Sequence, residues 1–200
     1  MFFDFILNLF DKKRAVGLKG EKLTADILKH YNAYGKILKN VYVPTFNNGT
    51  TEIDMLYITQ KGIFVVECKN YSGIVTGKIK DNEWTQSFPN GTVRNFYNPV
   101  MQNETHIKFL KKYLNDKIPL FSLIVFSEKC TLKNFRQSKH TFIIRRDELA
   151  ETLNQIFRNN NDVLSKSDIK SILSELKPLT KVKNSVKKAH IENIKAKHKN

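Results

Sequence analysis

Between Thr50 and Tyr71 the chain reads as two strand-like runs, Thr50 to Thr59 and Ile63 to Tyr71, around a short turn at Gln60, Lys61 and Gly62. Both runs are rich in Ile, Val, Phe and Tyr, the residues that suit a pleated, half-buried surface. The apolar pattern breaks at Asp54, Glu67 and Lys69. Glu67 and Lys69 are separated by one residue, so on a strand they project from the same face. Asp54 can reach that face from the neighbouring strand. Two carboxylates and an ammonium gathered on one sheet face are costly to bury unless they bind something. A divalent metal and a water that it activates meet that requirement.

Helices on either side supply further polar groups. At about 100° per residue, a helix from Val16 to Tyr31 puts Leu18, Leu23, Ala25, Ile27, Leu28 and Tyr31 on one broad face. Glu21 falls inside that face, either as an edge residue whose head snorkels to water or as a group aimed at the sheet. Its pairing with Asp54 and Glu67 favours the second reading. Asn98-Pro99 opens a second helix, with Asn as cap and Pro at the first helical position. Its apolar side includes Gln102 and His106, one turn apart. Gln102 reads as a site residue. His106 reads equally as an auxiliary site residue and as a hydrogen-bonded core histidine. Leu120 to Phe126 is apolar apart from Ser122, as a central strand should be.

The formal net charge of +15 points to a polyanion, either nucleic acid or an anionic membrane surface. Two cysteines, Cys68 and Cys130, make neither a disulfide framework nor a zinc spacing. They fit a reducing cytoplasm. Cys68 reads as packing rather than as a nucleophile. Residues 1–14 form an apolar stretch ending in a basic cluster, with no signal-peptide pattern. Two readings stand for it: a helix docked on the domain or on a second copy in a homo-oligomer, and a peripheral membrane anchor. Residues 15–160 are expected to form the domain. Residues 161–200 read as a helical, Lys-rich extension, in which Lys181, Lys183, Lys187 and Lys188 are candidates for phosphate contacts.

Each residue of the constellation has a chemical role. Mg²⁺ takes oxygen ligands in an octahedron and keeps several waters, and Mn²⁺ is expected to substitute. Asp54 and Glu67 supply carboxylates, the backbone carbonyl of Cys68 lies beside them, and Glu21 is a further candidate ligand. Lys69 would position the attacking water or stabilise a phosphate oxygen. Gln102 would orient a ligand or contact DNA.

The set Gly20-Glu21, Asn40 to Pro44, Thr51-Glu52-Ile53-Asp54, Gly62 to Tyr71, Gly73, Trp84, Asn98-Pro99 and Gln102-Asn103 resembles the nuclease-related domain (NERD) family. That family is part of the PD-(D/E)xK, restriction-endonuclease-like superfamily. The resemblance covers roughly residues 16 to 126 and rests on the ordered set, since a lone Asp and a Glu-x-Lys recur by chance. It departs from the superfamily motif where Ile53, not proline, precedes Asp54. The resemblance implies an α/β (α+β) fold with a central mixed sheet flanked by helices. It also implies a site of Glu21, Asp54, Glu67, Lys69 and Gln102, and metal-dependent hydrolysis of DNA in processing, repair or defence. The alternatives are a catalytically weak nucleic-acid-binding module and a membrane-associated interaction module.

Overall fold

Leu120 to Phe126 is buried at every position, as a near-continuous apolar run requires of a strand covered on both faces. The computed structural model describes residues 2–46, 49–114, 118–135 and 138–197. In chain order the elements are α1 (Phe2–His30), β1 (Gly35–Pro44), β2 (Thr50–Thr59), β3 (Gly62–Lys69), β4 (Gly73–Thr76), β5 (Glu83–Ser87), β6 (Val93–Tyr97), α2 (Pro99–Tyr113), β7 (Leu120–Phe126), β8 (Cys130–Lys133), β9 (Thr141–Arg145), α3 (Leu149–Asn159), α4 (Lys166–Leu176) and α5 (Asn184–Lys197).

Five strands form a central mixed sheet in the order β1-β2-β3-β7-β9. The pairs β1–β2 and β2–β3 are antiparallel, whereas β3–β7 and β7–β9 are parallel. Parallel neighbours need a crossover, and α2 lies on the connection from β3 to β7. One face of the sheet, with Leu56, Ile58, Ile63 and Val65, packs under α2 and α4 through Leu110, Ile169 and Ile172. Met55, Tyr57, Phe64 and Val66 face the other way and pack on Ala25 and Leu28 of α1 and Leu149 and Leu153 of α3. This is a restriction-endonuclease-like mixed α/β architecture.

Strands β6-β5-β4-β8 make a second sheet. Trp84 anchors it: fully buried, its ring stacks on Phe126 at 6.2 Å and its Nε1 donates to the Lys78 carbonyl at 2.9 Å. Packing is its role.

Several local expectations shift. The helix expected from Val16 continues back to Phe2, but the side chains of residues 2–13, and so the docking or anchoring face, lie outside what is described. Among the described residues no helix is long and apolar enough to cross a membrane. Leu18 and Leu23 are exposed, and α1 instead buries Gly20, Thr24, Ala25 and Leu28. Small residues at that face let α1 approach the sheet closely. In the connection from β1 to β2, Asn47 and Asn48 lie outside the described residues.

Both cysteines are unpaired, and Cys68 packs against the α1–α3 side of the core. Burial pushes the Cys130 thiol up to about 11. The thiolate is the reactive form, so Cys130 is expected to react with iodoacetamide far more slowly at pH 8 than an ordinary thiol. Mass spectrometry after a timed labelling pulse reads this; labelling at the rate of unfolded protein would refute it.

Candidate active site

Alternation along β2 slips by one residue at Asp54. Ile53 and Leu56 share the α2–α4 core, while Met55 lies on the α1–α3 side. Opposite the slip, Asn40 of β1 takes a left-handed φ of 51°, which asparagine tolerates better than most residues. The β2–β3 ladder also ends beside it, its last pair being Met55↔Val66. Beyond that pair the Asp54 carboxylate replaces the missing backbone acceptor, and the Cys68 N–H donates to its Oδ2 at 2.8 Å. Asp54 is thereby fixed beside Glu67 by the sheet itself.

Glu67, on the α2-facing side of β3, is 2% exposed. Lys69 Nζ pairs with Glu67 Oε1 at 2.7 Å and donates to Gln102 Oε1 at 3.0 Å. His106 Nε2 lies 3.4 Å from Glu67 Oε2, and its Nδ1 shares a 2.7 Å hydrogen bond with the Thr51 hydroxyl. Neither Glu67 Oε2 nor His106 Nε2 has a hydrogen-bond partner, although both are buried. Asn103, fully buried one residue past Gln102, pins α2 to the sheet. Its amide donates to the Val65 carbonyl at 2.8 Å and to the Ser122 hydroxyl at 2.9 Å.

Electrostatics separate the two carboxylates. Burial alone would raise Glu67, but Lys69 and His106 outweigh it and hold its carboxyl below the ordinary glutamate value. Asp54 is driven well above the ordinary aspartate value, first by burial and then by the Glu67 charge, against the pull of Lys69 and the Cys68 N–H. Burial disfavours the Lys69 charge, yet Glu67, Tyr71 and Asp54 outweigh it and keep the ammonium protonated more firmly than usual. Glu21 approaches from α1, on the opposite side of the sheet from α2. Its carboxyl is raised by burial, then by Glu52, with Lys39 pulling it down and Glu67 pushing it up. It belongs to the same electrostatic neighbourhood without a direct bond to the other four.

The structure therefore brings Glu67, Lys69 and Gln102 into one bonded chain, with His106 Nε2 3.4 Å from Glu67, Asp54 joined through Cys68 and Glu21 at the rim. On the extension, Lys181, Lys183 and Lys188 are exposed, while Lys187 lies 5.9 Å over the Tyr42 ring. Sequence reasoning did not assign site roles to Thr51, Glu52, Asn70 or Arg146. Only Arg146 had no signal, since it lies outside the motif set; Thr51, Glu52 and Asn70 were within it.

Among the described residues, no three His, Cys, Asp or Glu side chains converge closely enough to enclose a metal by themselves. A site offering two carboxylates, with water filling the remaining positions, suits Mg²⁺, which dehydrates reluctantly. A Glu67 Oε2 that makes no hydrogen bond and the mutual repulsion of Asp54 and Glu67 fit a hard cation between them.

Comparison with known proteins adds three findings. The profile described as nuclease-related domain matches residues 16–127. An uncharacterized protein of Bacillus anthracis is 35% identical over 142 residues, covering 68% of this chain and 65% of that relative, so the match spans just under two thirds of the relative's length. No solved structure gives a significant match.

Proposed function

This chain belongs to the nuclease-related domain family, and from that premise we propose that it is a divalent-metal-dependent nuclease hydrolysing DNA phosphodiester bonds. The observation that carries the reading is the Lys69 ammonium clamped between Glu67 and Gln102, beside a buried Glu67 oxygen that makes no hydrogen bond. Asp54 and Glu67 would hold Mg²⁺ or Mn²⁺, with the Cys68 carbonyl and Glu21 as further oxygens. When bound, such a cation supplies positive charge to phosphate oxygens and acidity to water. Lys69 does not serve as the base, because its neighbours hold its proton. It instead offers a fixed positive charge to the negative charge that grows on phosphate in the transition state. Gln102 keeps that ammonium in place, and Thr51 sets the ring of His106 against Glu67. DNA processing, repair and defence all suit such an enzyme, in the cytoplasm.

Asp54 provides the test. Its raised pKa means that the ionised carboxylate opposes folding, increasingly as pH rises from the ordinary 3.8 towards the folded value. Without metal at neutral pH, Asp54→Asn is therefore expected to raise the thermal midpoint, while still accepting the Cys68 N–H. With Mg²⁺ or Mn²⁺ it is expected to cut linear, nicked, branched and single-stranded DNA at least about a hundredfold more slowly than wild type. If wild type cuts none of these, or Asp54→Asn cuts as well, the nuclease reading is wrong.

A second reading has one observation in its favour. The scarcity of converging side-chain ligands also suits a nucleic-acid-binding module with little turnover. It predicts salt-sensitive DNA binding that survives loss of Glu67 and Lys69.

A further inference from the structure

Phe46 lies just past the end of β1 and is 55% exposed. It meets Phe109 of α2 edge-on, with centroids 5.2 Å apart. Lys112 Nζ stands 4.5 Å and Lys108 Nζ 5.9 Å from the Phe46 centroid. A half-exposed aromatic ring with two flexible ammoniums over it suits a planar, π-faced, anionic ligand, whose base can take the ring while its phosphate draws the lysines. Nucleotides have those three properties together.

The position matters as much as the composition. The Thr51–His106 hydrogen bond ties β2 to α2 at the carboxylate site. Lys112 follows His106 by six residues, about 9 Å along the helix at 1.5 Å per residue. Phe46 stands just before β2 on the same side of the sheet. Ile107, Lys108, Lys111 and Lys112 line a shallow groove there, with Glu104 as the acid among them. Lysines outnumber that acid, so the groove favours a phosphate backbone.

We infer that Phe46, Lys108 and Lys112 form a stacking platform for an unpaired nucleotide of the strand held at the carboxylate site. This rests on the DNA reading above and narrows it. Within a duplex the bases are stacked on both sides, and only the terminal pairs of a blunt end leave a face that Phe46 could meet. The substrate class is DNA with a single-stranded segment beside the cut.

The test is fluorescence anisotropy with the full chain in chelator, using labelled oligothymidylate of about 20 nucleotides and a blunt duplex of similar length. Phe46→Ala is expected to weaken oligothymidylate binding about tenfold and to leave duplex binding within about twofold. Phe46→Trp is expected to restore it. Lys108→Gln with Lys112→Gln is expected to weaken both and to flatten the salt dependence on the single strand by about 1.4 in log–log slope. Because Phe46 is largely exposed, the variants are expected to match wild type in thermal midpoint. The platform is overturned if wild type does not bind oligothymidylate, if Phe46→Ala binds it like wild type, or if Phe46→Ala loses both ligands equally. Cleavage separates the two proposals. A chain that cuts nothing but shows the Phe46 effect keeps the platform and loses the nuclease. A chain that cuts with metal but is indifferent to Phe46→Ala keeps the nuclease and loses the platform.

Discussion

Glu67→Gln is expected to lower metal-dependent DNA cleavage by about a thousandfold or more, with the fold retained. Glutamine keeps an oxygen for Lys69 but removes the charge on which a cation and the Lys69 ammonium both depend. Glu67→Ala goes further, because Lys69 is then left in the interior with only the Gln102 oxygen as a partner. Stranding a buried charge costs about 3–5 kcal/mol. In a chain of this size that lowers the thermal midpoint by roughly 10 °C. Pairing Glu67→Gln with Lys69→Met removes both charges and is expected to recover most of the lost stability without recovering activity. The pH dependence has a defined sign. Because the folded Glu67 carboxyl is depressed, its contribution is complete above the ordinary 4.5 and is lost as pH falls through the lower folded value. The stability gap between wild type and Glu67→Gln should therefore narrow below that pH. Cleavage by Glu67→Gln at the wild-type rate, or a double variant no more stable than Glu67→Ala, would contradict this account.

What the sequence reveals depends on how local the cause is. β7 was readable because six apolar residues in a run of seven, broken only by Ser122, admit few other structures. Asn98 was readable as a cap, and it accepts the Val100 N–H at 2.9 Å while donating to the Ile79 and Asp81 carbonyls. β8, by contrast, is Cys-Thr-Leu-Lys with one fully buried residue. It exists because β4 offers a parallel edge far earlier in the chain. The slip at Asp54 was hidden for a similar reason. Strict alternation places Ile53 and Leu56 on opposite faces, and only the left-handed Asn40 and the Cys68 N–H overrule it. Lys69 and Gln102 were both named from their patterns, but the bond between them depends on the packing of α2 over β3. Leu18 and Leu23 show the reverse failure. A helical wheel ranks them as core, whereas the close approach of α1 is made through Gly20 and Thr24.

Arg146→Met is expected to cost about 2–4 kcal/mol and to slow cleavage, although Arg146 makes no bond to Glu21, Asp54 or Glu67. Its guanidinium is 5% exposed and links three segments. Nη1 donates to Glu128 at 2.6 Å, Nη2 to the Asn70 side-chain oxygen at 3.1 Å, and Nε to the Thr24 hydroxyl at 3.3 Å. Asn70 in turn donates to the Val16 carbonyl of α1 at 2.6 Å. Glu128 is partly exposed and can return to water, so most of the loss falls on the Asn70 and Thr24 oxygens and on the docking of α1. That docking places Glu21, and its fit is tightest at the preceding residue. A Cβ on Gly20 would stand 2.7 Å from Asn70 Cβ and 3.4 Å from Arg146 Nη2. Alanine normally stabilises a helix interior over glycine by roughly 0.5–1 kcal/mol. At Gly20 the clash falls on a Cβ rather than on a flexible tip, and overpacking costs about 1–3 kcal/mol. Gly20→Ala should therefore destabilise. Gly17, on the same helix with nothing within 4 Å of such a Cβ, should be stabilised by the same change. Thermal unfolding of the three variants, with cleavage rates alongside, decides the matter. If Gly20→Ala and Gly17→Ala shift the midpoint in the same direction, or Arg146→Met leaves midpoint and rate unchanged, α1 is not held to the site by this contact.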